Sequence, residues 1–232
     1  LLSLVAPTAD LREIDTQGEP GPRFAVDELA AVQFEPVVIA NDGAPTHALT
    51  PPPLLRAARA AVLDSVTMSS LESPSVVFAS RRGASTRRLI DEEELIKRLP
   101  ADTLSFDGAA TEIEDAVAIF RHARVIVGVH GAALANALWV ENPDTALVVE
   151  LGFDNAAARH YEHLAAALGL AYTRVLLEDP DAHAFTAATV VASPGAADAV
   201  LDAVTAWLRD DHAPSRSSSS PATETDVRRE EL

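Results

Sequence analysis

Between Pro74 and Arg209 the chain alternates short apolar runs with amphipathic stretches five times, and no other feature narrows its fold as far. Residues 76–80, 104–106, 125–129, 146–151 and 171–176 are brief and mostly rich in β-branched residues, the pattern of buried strands. Helices are expected between them, over residues 91–99, 111–122, 132–139 and 154–168, with a last one from Ser193-Pro194 to about Arg209. Capping boxes are expected at Asp91 with Glu94 and at Thr111 with Glu114, and Gly169 should end the fourth helix. Such alternation implies an α/β fold, a parallel, doubly wound sheet with helices on both faces. Ligands of these sheets bind at the carboxyl ends of the strands.

The N-terminal part is less regular. Residues 36–40 look like a strand, Asn41-Asp42-Gly43 like a turn, and 24–34 show weak helical spacing. Pro51-Pro52-Pro53 is a rigid link before a helix over 54–66, with Leu55, Ala58, Val62 and Val66 on one face. The expected division is a partial N-terminal domain or linker over 1–53, a nucleotide-binding domain over 54–210 and a disordered tail over 211–232, which holds four consecutive serines and no aromatic residue. The chain opens on Leu1 rather than Met, so upstream sequence is expected.

Composition sets limits. The formal charge of −17 argues against a nucleic-acid partner, which requires a basic face. With no cysteine, thiolate metal sites and cysteine nucleophiles are excluded. No stretch is apolar for the ~20 residues of a membrane span.

Residues 124–151 form the centre of the pattern: strand, His130-Gly131-Ala132 turn, helix, then a strand carrying Glu150. Gly131 permits a sharp turn or a close approach, and a helix start with small residues at 131, 132 and 133 suits a phosphate. Glu150, at the end of the next parallel strand, should lie at the same sheet edge, where acidic residues commonly hold ribose hydroxyls. A tightly packed turn without a ligand is the plainer alternative. The loop after the first strand carries Arg81, Arg82, Arg87 and Arg88, four arginines in an acidic chain, and arginine suits bidentate phosphate contact. Pairing of these arginines with Asp91, Glu92 and Glu93 is the competing reading.

These residues carry a resemblance. Val77-Phe78-Ala79-Ser80-Arg81-Arg82, with Thr86-Arg87-Arg88-Leu89-Ile90-Asp91-Glu92-Glu93-Glu94-Leu95, is similar to the "sRk…Rri-Asn-Glu-x-Glu-Leu" signature of glycosyltransferase family 61. Val127-Gly128-Val129-His130-Gly131-Ala132-Ala133-Leu134-Ala135-Asn136 resembles its "iGvHGAgLtN", and Val148-Val149-Glu150-Leu151 its "viEl". A further likeness, from Leu164 to Tyr172, follows "la..lgl.Y". The family includes plant β-1,2-xylosyltransferases and the EGF-domain-specific O-linked N-acetylglucosamine transferase of the endoplasmic reticulum. Asp91 stands where the family has asparagine, and Ala133 where it has glycine, which would strain a left-handed backbone there.

The resemblance implies a GT-B fold of two facing domains, the C-terminal one Rossmann-like and holding the donor. It implies inverting transfer of a sugar, of the N-acetylglucosamine or xylose class, from a UDP-sugar to a hydroxyl of a glycan or glycoprotein, with no metal or other cofactor. It assigns Arg81 and Arg87 or Arg88 to the diphosphate, His130, Gly131 and Ala132 to the phosphate and ribose region, and Glu150 to the ribose; Asn136 would orient the turn. The general base is left open: His130 is one candidate, and Asp42 and His47 are others. Residues 1–53 are too few for a second sheet, so the chain alone is expected to bind donor and transfer poorly. A non-catalytic nucleotide- or glycan-binding module is the alternative. His160 with His163, and Asp179-Pro180-Asp181, have spacings that could suit a metal, though helical histidine pairs and Asp-Pro turns commonly hold none. Arg229-Glu230-Glu231-Leu232 is close to an endoplasmic-reticulum retention signal, which with the family points to the secretory lumen.

Overall fold

The computed structural model describes residues 11–14, 23–26, 37–41, 44–66, 74–153, 159–178 and 186–209. The N-terminal part holds two antiparallel hairpins: β1 (Leu11–Ile14) with β2 (Arg23–Val26), and β3 (Val37–Asn41) with β4 (Ala44–Leu49). This corrects two expectations. Phe24 lies in a strand rather than a helix, and the segment before Pro51 supplies four strands, not one. Strands this short and interrupted by charge give little periodic signal.

Helix α1 (Pro52–Ser65) follows, with proline in its first turn, where a missing N–H costs nothing. The sheet is built from β5 (Val76–Ala79), β7 (Leu104–Phe106), β8 (Val125–Val129), β9 (Leu147–Gly152) and β10 (Ala171–Leu176). All pair in parallel, in the order β7-β5-β8-β9-β10. Between them run α2 (Glu92–Arg98), α3 (Ile113–Arg121), a 3-10 helix (Ala132–Trp139) and α4 (His160–Leu168), with α5 (Pro194–Arg209) at the end. This is a Rossmann-like α/β arrangement. Gly169 closes α4 in the left-handed conformation, as its position predicts.

Alternate strand residues serve opposite faces, the period-two rule of a sheet covered on both sides. Val77, Ala79, Ile126 and Val148 pack with Val62 of α1, Val117 and Phe120 of α3, Leu134 and Leu168. Val76, Phe78, Val127, Val149 and Leu151 pack on the other side with Leu95 of α2 and Val200 and Val204 of α5. Gly128 is required where β8 meets the 3-10 helix, since a Cβ there would sit 2.9 Å from the Ala79 Cβ and 3.1 Å from Leu134 Cδ2.

Two local expectations fail. Neither Asp91 nor the observed cap of α3, Glu112, makes a side-chain cap hydrogen bond, and Thr111 instead donates its hydroxyl to the Asp107 carbonyl at 2.8 Å. Ala132–Trp139 is a 3-10 helix, not an α-helix. Bonds from the N–H of one residue to the carbonyl three before it mark both ends, Leu134 to Gly131 at 3.0 Å and Val140 to Ala137 at 3.3 Å, while Leu134, Ala137 and Trp139 are its buried positions.

The strand order decides where a ligand can sit. From β5 the chain moves out to the edge strand β7 and then returns to β8 on the other side of β5. The helices that follow β5 and β8 therefore pack on opposite faces of the sheet, and the crevice between the carboxyl ends of the two strands is the topological switch point.

Candidate functional site

Both motif loops open at that crevice. The loop after β5 is held by Glu92, a carboxylate only 4% exposed at the start of α2. It accepts the Ser80 hydroxyl at 2.6 Å and the Arg81 backbone N–H at 3.2 Å, and pairs with Arg82 at 3.4 Å. The far end of the loop is fixed by β6 (Arg88–Leu89), which pairs in parallel with β11 (Thr189–Val190). Arg82, also within 3.3 Å of Glu93, thus follows the pairing alternative.

Arg81 turns towards β8. Its Nη2 and Nε donate to the Thr86 carbonyl at 2.8 and 3.3 Å. Its guanidinium lies over the Gly131 α-carbon: a Cβ on Gly131 would collide with Arg81 Nη1 and lie 2.7 Å from Cζ. Gly131 has a φ of 168°, extended backbone open to any residue, so the glycine is needed for the approach and not for its dihedral. Arg87 converges on the same turn, donating Nε to the His130 carbonyl at 3.0 Å. To do so it takes φ 54°, the left-handed region, and among the described residues no other non-glycine does. Such a conformation costs of order 1–2 kcal/mol in an L-residue and persists where surroundings enforce it. Burial and the charge of Arg87 hold the Arg81 guanidinium below the ordinary arginine range. Arg88, the alternative to Arg87, is exposed on β6.

The 3-10 helix starts beside these cations. Its first internal bond runs from Leu134 N–H to the Gly131 carbonyl at 3.0 Å, so Ala132 and Ala133 contribute the opening N–H groups. Ala133 does not adopt a positive φ, which removes the strain expected from replacing a glycine. Asn136 uses its amide along the helix: Nδ2 donates to the Ala133 carbonyl at 2.9 Å and Oδ1 accepts Trp139 Nε1 at 3.1 Å. Both bonds lie within the 3-10 helix rather than at the His130-Gly131-Ala132 turn. Ser80, Arg81, Asp107, Ala132, Ala133 and Asn136 border an open depression of about 310 Å³.

Glu150 is differently placed from its sequence reading. It stands two residues before the end of β9, is fully buried, and faces inward. His130 Nδ1 lies 2.5 Å from its Oε1, and the Tyr172 hydroxyl donates to Oε2 at 2.6 Å. Arg174 Nε donates to that hydroxyl at 3.0 Å, and its Nη2 lies 3.9 Å from Oε2. Both carboxylate oxygens are thus engaged within the chain, on His130 and Tyr172 rather than at the open edge. Tyr161 packs edge-on to the His130 ring at 5.1 Å, and burial pushes its hydroxyl up to about 12. The sequence reading did not single out Glu92, Tyr161 or Arg174 as site residues. The period-two spacing of Tyr172 and Arg174, beside Glu150 on a neighbouring strand, is the signal that would have linked these three.

The remaining candidates separate. His160 packs near the His130 ring, 6.1 Å between centroids, whereas His163 Nε2 lies 3.2 Å from the Thr50 carbonyl. Among the described residues no three His, Cys, Asp or Glu side chains gather at metal-binding distance. His47 lies in β4, and Asp42 and residues 179–181 and 211–232 fall outside the described residues. No described helix is long and apolar enough to cross a membrane.

Fold and crevice together define a doubly wound α/β protein whose two signature loops meet at the switch point. The sequence model of glycosyltransferase family 61 matches residues 4–148, from before the first hairpin into β9, and the chain belongs to that family. None of the curated proteins matches it.

Proposed function

We propose that the chain acts in an inverting glycosyltransferase of GT-B type, moving a sugar of the N-acetylglucosamine or xylose class from a UDP-sugar to a hydroxyl of a glycan or glycoprotein. The observation that carries this reading is the convergence of Arg81 and Arg87 on the His130-Gly131 turn at the switch point. Two guanidinium groups beside the opening N–H groups of a helix suit a diphosphate, and they stabilise the charge that develops as it departs. In this reading the donor's charge is met by the protein itself and no metal is called for. The acceptor would be held by a facing domain, and the secretory lumen is the setting that the family resemblance favours.

Calorimetric titration with UDP-sugars tests it. Arg81→Ala and Arg87→Ala should each weaken binding by about 1.5–3 kcal/mol, the scale of a charged hydrogen bond. Arg98→Ala, whose side chain pairs with Asp198 on the α2 side, should leave affinity unchanged. Equal affinity in all three variants overturns the assignment. Binding without transfer to any of a panel of acceptors would make the chain a nucleotide- or glycan-binding module instead.

A further inference from the structure

Glu150, the acidic residue that the sequence offers for a sugar hydroxyl, spends both carboxylate oxygens on His130 and Tyr172. The open depression beside Arg81 is bordered by a different carboxylate, that of Asp107. We infer that Asp107 accepts a ring hydroxyl of the sugar nucleotide, and so selects and orients the donor; the inference rests on the donor reading above.

Backbone pairing fixes where Asp107 stands. Ala79 pairs with Phe106 of β7 on one side and with Gly128 of β8 on the other. Asp107, Ser80 and Val129 are therefore the next residues on three adjacent strands, at one level of the sheet. The Ser80 N–H donates to the Phe106 carbonyl at 2.9 Å, which ties the start of the arginine loop to the residue before Asp107. Phe106 is itself buried, edge-on to Phe120 with centroids 4.8 Å apart. The chain then turns: Asp107 Oδ1 accepts the Ala109 N–H at 2.9 Å, and its carbonyl accepts the Thr111 hydroxyl at 2.8 Å. These bonds hold Asp107 at the β7 side of the depression.

The turn uses one carboxylate oxygen. Asp107 is exposed, and among the described residues its Oδ2 makes no hydrogen bond or ion pair. Asparagine serves such a turn equally well, so the local fold does not call for the charge. An ionised carboxylate only accepts, and a hydroxyl is a donor that it holds strongly, whereas phosphate oxygens are repelled. The Arg81 guanidinium lies over Gly131 at the end of β8, while Asp107 leaves β7 on the far side of β5. Two strand spacings, about 10 Å, separate those ends. The depression is thus cationic at one side and acidic at the other. It draws a diphosphate towards β8 and a neutral, hydroxyl-bearing ring joined to it towards β7. Its volume of about 310 Å³ is at the small end of ligand pockets, which suits one ring of the donor and not the whole of it. The ribose and the transferred sugar both carry such hydroxyls, and the choice of ligands tells them apart.

The test is calorimetric titration of the wild type, Asp107→Asn and Asp107→Ala with inorganic diphosphate, UDP, UDP-xylose and UDP-N-acetylglucosamine. Asparagine keeps an oxygen for the Ala109 N–H and removes only the charge; alanine removes both. Asp107→Ala should weaken binding of the preferred UDP-sugar roughly 10- to 150-fold, the range of one hydrogen bond to a charged group. Asp107→Asn should weaken it roughly 5- to 10-fold, the difference between a charged and a neutral bond, and decides the matter if the alanine variant does not fold. Inorganic diphosphate, which has no sugar ring, should bind neither variant more weakly than the wild type. A loss already present with UDP puts the ribose at Asp107, and one confined to the UDP-sugars puts the transferred sugar there. Unchanged UDP-sugar affinity in the variants overturns the inference, as does an equal loss for inorganic diphosphate, which would show that the side chain serves only the loop. A wild type that binds no nucleotide sugar overturns the donor reading instead.

Discussion

Replacing Gly131 by alanine isolates the contact on which the donor reading depends. The backbone there is extended, so alanine brings no dihedral strain. The added methyl instead meets the Arg81 guanidinium, with Cζ at 2.7 Å and Cδ at 3.3 Å. Those atoms end a flexible side chain, so the protein accommodates the methyl by moving Arg81 rather than its backbone. The displaced guanidinium gives up its two bonds to the Thr86 carbonyl and its place over the turn. Loss of one charged hydrogen bond to the diphosphate is worth about 1.5–3 kcal/mol, or roughly 10- to 150-fold in dissociation constant. Calorimetric titration of Gly131→Ala, Arg81→Ala and the double variant closes a thermodynamic cycle. If the methyl acts through Arg81, the double variant binds no more weakly than Arg81→Ala. Additive losses, or unchanged affinity in Gly131→Ala, would refute the reasoning.

Two further outcomes are expected. Glu92→Ala leaves the Ser80 hydroxyl and the Arg81 N–H without their acceptor, so urea unfolding should show a loss of about 1–3 kcal/mol and donor affinity should fall with it; wild-type values for both would mean that Glu92 does not organise the loop. The chain has 2 tyrosines, Tyr161 with its hydroxyl pushed up to about 12 and Tyr172 also raised, so the folded protein should show no tyrosinate absorbance as pH passes 10. The unfolded chain sheds those protons while the folded one keeps them, so stability should decline as pH rises from about 10 towards 12; a native transition at the ordinary tyrosine position would contradict this.

Strand β8 falls where its apolar run places it, because a strand buried on both faces writes its length in β-branched residues, and the edge strand β10 keeps its expected bounds although it is only partly buried. The 3-10 helix was not readable in the same way, since Ala, Leu and Asn suit either helix. The backbone bonds from Leu134 to Gly131 and from Val140 to Ala137, with the Asn136–Trp139 bond, reveal it. Glu92 sits in a run of three glutamates that reads as solvated, and its burial depends on where Ser80 leaves β5. Glu150 was found by its motif but not oriented, because a strand position fixes the face of a side chain and not its partner. The strand order, which brings Arg81 to Gly131, leaves no trace in the alternation itself.

That order also bears on how the protein acquires its function as it folds. β5 and β8 lie side by side, yet the chain between Ala79 and Val125 carries α2, β7 and α3 before it returns. Non-local parallel pairing of this kind forms slowly, because the entropy of closing the loop precedes the gain from contacts. Arg81 and Gly131 belong to the two ends of that loop, so the crevice they border does not exist until the central strands have joined. A chain leaving the ribosome N-terminus first carries its arginines long before it carries the turn they need. Any ligand that requires both recognises the finished sheet and not its precursors, and at one hundred times its dissociation constant it would add about 2.7 kcal/mol to the folded state alone.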